Sequence, residues 1–168
     1  AHAFQSYDPP FAILGDLRTI IDQIQYPLAI RSSSILEDAL EAPFAGIYAT
    51  KMIPNNESDT DVRFRKLVEA IKFVYASTFF KAAKDYRHAI GKDLLDEKMA
   101  VIVQEVVGTA HFDRYYPDIS GVARSFNYYP PSHSKPEDGI VNLALGLGKT
   151  IVDGEPSWWF TTKSPRAN

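Results

Sequence analysis

One apolar stripe at helical spacing runs through residues 61–90, and segments rich in strand-forming residues lie on both sides of it. Phe64, Leu67, Val68, Ile71, Val74 and Tyr75 form its first part, and Phe79, Ala82, Ala83, Tyr86 and Ile90 extend it. A period near 3.6 predicts a helix with one face in a core. Ser58, Asp59 or Thr60 can cap its start, Gly91 is a natural stop, and a break near Ser77-Thr78 is allowed by the length. Before it, residues 13–25 repeat the helical pattern through Ile13, Leu14, Leu17, Ile20, Ile21 and Ile24. Leu28-Ala29-Ile30 follows as a short buried strand running into a polar turn, Arg31-Ser32-Ser33-Ser34, and residues 44–53 predict a second strand.

After the stripe the period changes. Residues 99–107 are almost continuously apolar or β-branched and predict a buried strand. Residues 108–118 read as a loop rich in polar and aromatic residues. Residues 119–128 and 140–147 predict two more strands, separated by a connection with Pro130, Pro131 and Pro136, and Trp158-Trp159-Phe160 a last one. Helix, strands, long helix, strands is the order of an α+β fold with a largely antiparallel sheet, not of an alternating doubly wound one.

Composition narrows the function classes. With 168 residues, 45% of them hydrophobic, the chain can build a core of one domain. The 18 Lys and Arg against 21 Asp and Glu do not make the basic footprint of a non-specific nucleic-acid binder, so no nucleic-acid partner is expected. No run reaches the ~18 apolar residues of a membrane span, so no membrane partner is expected either. Zero cysteines exclude disulfides, thiolate zinc sites and thiol catalysis, and are compatible with a cytoplasmic location. The first residues do not read as a signal peptide, and the ends at Ala1 and Asn168 read as the edges of an excised fragment.

Several motifs are decoys. Gly148-Lys149-Thr150 lacks the preceding glycine of a P-loop, because Leu143 stands there. His2, His88, His111 and His133 show no metal-ligand spacing. Ser32, Ser33 and Ser34 are not in a nucleophile-elbow motif. Asn56-Glu57-Ser58 matches a glycosylation sequon by chance. The segment that stands out is 27–46. It brings Arg31 to a strand end beside three hydroxyls, a set suited to phosphate, and Gly46 would let a backbone approach a ligand closely. Taken alone, an Arg at a strand end more often serves as a surface ion-pair partner than as a phosphate ligand.

Ile30-Arg31-Ser32-Ser33, Glu37-Asp38 and Pro43-Phe44-Ala45-Gly46 together resemble the signature of the nucleotide-binding domain of phosphoenolpyruvate synthases and pyruvate phosphate dikinases. Further segments resemble that family in its order: Tyr75-Ala76-Ser77-Thr78-Phe79, Tyr86-Arg87, residues 101–107, Ser120-Gly121-Val122-Ala123 and Gly146-Leu147-Gly148. The resemblance covers residues 27–154. It implies an ATP-grasp-like fragment, residues 1–168 forming a single partial nucleotide-binding domain. It implies Arg31 as the catalytic residue on the ATP phosphates, Gly46 and Thr50 against the nucleotide, and Gln104 with the backbone of Glu105, Val106 and Val107 framing adenine. Val101, Val103 and Val107 could wall the base. ATP and Mg²⁺ are the implied cofactors, with no metal ligand in this chain. The implied partners are a carrier-His domain and a pyruvate-binding domain, ATP phosphorylating the carrier His and then pyruvate. Related family members with another acceptor, a glucan or an antibiotic, and a non-catalytic nucleotide-binding or regulatory module are the alternatives. Departures at Ala82-Ala83 and Lys149 motivate the last. Nothing in the chain matches the family's N-terminal phosphate-binding Lys or its acidic and Gln-x-Arg strands, so this chain alone is expected to be inactive.

Overall fold

A computed structural model describes residues 6–7, 9–37, 46–91, 97–132, 134–148, 150–151 and 157–166. The chain divides into two compact units, residues 1–106 and 107–168. Asp38, Pro43, Phe44, Ala45, Lys149, Gly154, His2 and His133 lie outside the described residues.

The first unit opens with α1 (Phe11–Gln23), which buries Leu17 and Ile21. Then come β1 (Leu28–Ser34) and β2 (Lys51–Ile53). The long stripe is two helices, α2 (Thr60–Ser77) and α3 (Lys81–Ala89), followed by β3 (Met99–Glu105). Asp59 caps α2, accepting from the Asp61 N–H at 2.7 Å. The break is a tight turn: Thr78, Phe79 and Phe80 each bond a carbonyl three residues back. Gly91, at φ +66°, follows the end of α3 as the sequence predicts.

The strands pair antiparallel in the order β2-β1-β3. Leu28 lies opposite Ile53 on one side and Glu105 on the other, and Ser34 lies opposite Met99. Alternation then sorts the side chains. Leu28, Ile30, Ile53, Val101 and Val103 point to the helices and pack with Leu17, Ile21, Leu67, Ile71 and Val74. A smaller cluster of Leu36, Tyr48 and Ala83, with Ile47, Tyr86 and Met99, sits against α3. Two buried polar side chains fasten the entry to β1. Arg63 donates to the carbonyls of Ile21 and Ile24 at 2.9 and 3.0 Å, and Asn55 donates to Ile24 and Tyr26. These satisfy carbonyls that the end of α1 leaves open.

The second unit holds a hairpin, β4 (Thr109–His111) with β5 (Arg114–Tyr116), and a sheet β6-β7-β8. Its strands are β6 (Ile119–Arg124), β7 (Ile140–Leu145) and β8 (Trp158–Phe160), all antiparallel. A 3₁₀ turn at Pro136–Asp138 precedes β7.

Five local expectations change. The strand predicted over 119–128 ends at Arg124. Residues 31–34 are strand, not turn, because each has a cross-strand partner on β3. Arg31 is therefore in mid-strand rather than at its end. The second strand, predicted over 44–53, is described only over Lys51–Ile53. Residues 99–107 are not a buried strand: β3 stops at Glu105, is at the sheet's edge among the described residues, and has one covered and one exposed face. Residues 108–118 are a hairpin rather than a loop, its turn made by Phe112 at φ +56° and Asp113. Gly108 is needed beside it, since a Cβ there would lie 2.6 Å from the Tyr116 carbonyl carbon.

Candidate functional site

Strand alternation builds the site. With Leu28 and Ile30 committed to the core, Ala29, Arg31 and Ser33 must face the other way. On β3 the residues in register with them are Gln104, Ile102 and Ala100, and Met52 joins from β2. Arg31, Gln104, Ile102 and Met52 are all exposed there. Arg31 Nη1 donates to Gln104 Oε1 at 3.2 Å, across a sequence separation of 73 residues. The Arg31 partner is neutral, and among the described residues no carboxylate forms an ion pair with it. The guanidinium carries five donors, and one of them is used on Gln104.

Thr50 is exposed and immediately precedes Lys51, whose cross-strand partner is Ile30. Thr50 itself lies outside β2, and the ladder with β1 ends at the Ile30–Lys51 pair. Gly46 is exposed at φ +78°, with nothing within 4 Å of where a Cβ would stand. Its backbone is the kind only glycine adopts without strain.

At the outer edge of β3 the backbone matters more than the side chains. Val106 donates its N–H to the Pro27 carbonyl at 2.9 Å, so that residue is spent on β1. Antiparallel ladders alternate, so Glu105 and Val103 turn their N–H and C=O outward. Glu105 thus offers one donor and one acceptor on an edge that carries no further strand among the described residues. Val101 and Val103 face the helices, not this surface, which removes them as walls for a base. Val107 belongs to the second unit and is 81% exposed.

The serines and Glu37 have a different job. Ser32 Oγ donates to Glu37 Oε1 at 2.8 Å, and the Ser34 N–H donates to Glu37 Oε2 at 2.8 Å. Ser34 Oγ in turn accepts from the Leu36 N–H at 3.1 Å. Glu37 thus knots the end of β1 and is not presented to a ligand. Sequence reasoning grouped these hydroxyls with Arg31; the three-to-five residue spacing of Ser32, Ser34 and Glu37 is the signal for the knot.

Among the described residues no group of three His, Asp or Glu could hold a metal ion. No described helix is long and apolar enough to cross a membrane. A separate groove of about 610 Å³ lies between β2 and α2, lined by Lys51, Lys66, Glu69 and Phe73 among others. Lys66 is already paired there with Glu57 at 2.5 Å, and Lys51 lies over the Phe73 ring.

Residues 3–158 match the family described as pyruvate phosphate dikinase, AMP/ATP-binding domain. The chain is 32% identical over 151 residues to a phosphoenolpyruvate synthase of Aeropyrum pernix, covering 88% of this chain and 16% of that protein. It is 27% identical over 139 residues to the uncharacterized phosphotransferase YvkC of Bacillus subtilis, covering 82% and 15%. A probable phosphoenolpyruvate synthase of Archaeoglobus fulgidus is 32% identical over 127 residues, covering 76% and 14%. The chain thus spans only about a sixth of the length of the curated relatives it matches.

Proposed function

The chain belongs to the pyruvate phosphate dikinase AMP/ATP-binding domain family, and we propose that it is the ATP-binding portion of a phosphoenolpyruvate synthase-like phosphotransferase. The observation that carries the proposal is the Arg31–Gln104 pair on the exposed face of the β1–β3 sheet. Arg31 supplies a planar, permanently charged fork for the phosphates, where positioning and charge neutralisation do most of the work of phosphoryl transfer. Gln104 steadies that fork, and Thr50 leads into β2, the strand that pairs with β1 on its other side. The outward N–H and C=O of Glu105 match the donor–acceptor edge of adenine. Gly46 keeps its segment free of a side chain that would obstruct the nucleotide.

Mg²⁺ would come with the nucleotide, held by its phosphates and waters, and would neutralise phosphate charge. The described residues offer no cage of their own for it. The further reading, that the phosphoryl group passes to a carrier His on another domain and then to pyruvate, rests on the relatives named phosphoenolpyruvate synthase. A cytoplasmic location belongs to the same reading.

The test uses the full-length protein carrying this chain. ATP is titrated calorimetrically, and its cleavage is then followed chromatographically with and without pyruvate. Saturable ATP binding, with cleavage that depends on pyruvate, is the expected result. No ATP binding by the folded protein refutes the ATP site. Binding with cleavage indifferent to pyruvate refutes the acceptor.

A further inference from the structure

The family-like motifs at Tyr75–Phe79 and Tyr86-Arg87 reach neither Arg31 nor Gln104, yet both converge on one short segment. Ser77 is completely buried at the end of α2. Its Oγ donates to the Val74 carbonyl at 2.6 Å and accepts from the Ala49 N–H at 3.0 Å. Arg87 on α3 is also buried, at 4% exposure. Its Nη2 donates to the Thr78 carbonyl at 2.8 Å, and its Nη1 reaches the Tyr48 hydroxyl at 3.5 Å. Tyr48 donates that hydroxyl to Glu97, and its ring packs with Leu36 and Ala83.

Tyr48 and Ala49 belong to no helix or strand, because β2 begins only at Lys51. The sheet ladder therefore does not fix this stretch; buried side chains from the α2–α3 break do. A guanidinium held inside a protein is costly unless its donors are used. Here they are used on the break's own carbonyl and on the segment. Two successive residues are clasped just before Thr50, the residue that leads into β2 beside Arg31's strand. The Tyr48 phenol is pushed well above its ordinary range, first by burial and then by its bond to Glu97, so it stays a protonated donor at physiological pH.

We propose that Ser77 and Arg87 are positioning residues that clamp residues 48–49 from the α2–α3 break and so set the Gly46–Thr50 segment for ATP. The inference rests on the ATP-binding reading above. It adds that a helix break away from the exposed sheet face controls nucleotide affinity.

The variants are Ser77→Ala, which frees the Ala49 N–H, and Tyr48→Phe, which keeps the ring and removes only the hydroxyl. Arg87→Lys keeps the charge and loses the fork. All are made in the full-length protein, with Arg31→Ala as reference. Readouts are ATP KM and kcat, thermal melting, and hydrogen exchange of residues 46–50 with and without ATP. Each clamp variant should raise ATP KM roughly 3- to 10-fold, the scale of one buried hydrogen bond, with a smaller change in kcat. Exchange at residues 46–50 should rise, and saturating ATP should restore its protection. Lower melting temperatures with ATP KM unchanged, while Arg31→Ala loses ATP, would overturn the clamp and leave the ATP site standing. Failure of the wild type to bind ATP would overturn both. Tyr48→Phe guards against a folding failure, since the apolar cluster keeps its ring.

Discussion

Replacing Arg31 separates an ATP-site cation from a structural one. The side chain is exposed, its described bond goes to a neutral amide, and its backbone stays in the β1–β3 ladder whatever the side chain is. Arg31→Ala should therefore cost little stability, about 0–1 kcal/mol from lost strand propensity and one exposed hydrogen bond. Its effect on ATP should be much larger. Losing a charged hydrogen bond aimed at phosphate typically costs ~2–4 kcal/mol, or roughly 30- to 1000-fold in rate. Arg31→Lys keeps a point charge but not the fork, so it should fall between Ala and wild type. Gln104→Ala leaves the cation and frees its orientation, for a loss of roughly 3- to 10-fold, one ordinary hydrogen bond. The assay is the ATP cleavage rate of the full-length protein beside thermal melting. A folded Arg31→Ala protein that cleaves ATP at the wild-type rate would refute the assignment.

Three further outcomes are expected. Glu37→Ala removes two bonds at the end of β1, so urea unfolding should show a loss of about 1–3 kcal/mol. Leu67→Ala opens a cavity at a fully buried position between helix and sheet; the same titration should show a loss of about 2–5 kcal/mol. Asp138 has its carboxyl held below the ordinary value, first by the Lys135 N–H and then by the Lys163 charge. A carboxyl depressed on folding stabilises above its unfolded value near 3.9, and the contribution fades as pH falls through the folded value. Melting curves between pH 5 and 2 should thus be less pH-dependent in Asp138→Asn than in wild type, and equal slopes would contradict this.

The helices and the covered sheet face were legible because their apolar residues keep a strict period. The stripe at Leu67, Ile71 and Val74 meets Leu28 and Ile30 as the pattern requires. Arg31 and Gln104 were each legible as ATP-site candidates through the family-like motifs, and alternation explains why they meet. The strand through Arg31–Ser34 was hidden because serines read as turn residues. The Ser32 hydroxyl and the Ser34 N–H are instead taken by Glu37, a partner that periodicity does not reveal. The hairpin at 109–116 was hidden for a related reason. Its turn places Phe112 at a positive φ where sequence rules look for Gly or Asn. The clamp on Tyr48 and Ala49 joins residues 28 and 39 positions apart, and no local pattern carries it.

Photolabelling of the full-length protein with 8-azido-ATP, followed by peptide mapping, tests the ATP site most directly. The account predicts label within residues 102–105, at the outward edge of β3. ATP should compete it away, and Arg31→Ala should weaken it strongly. Label mapping instead to the groove lined by Lys51, Lys66 and Phe73, untouched by Arg31→Ala, would contradict the account.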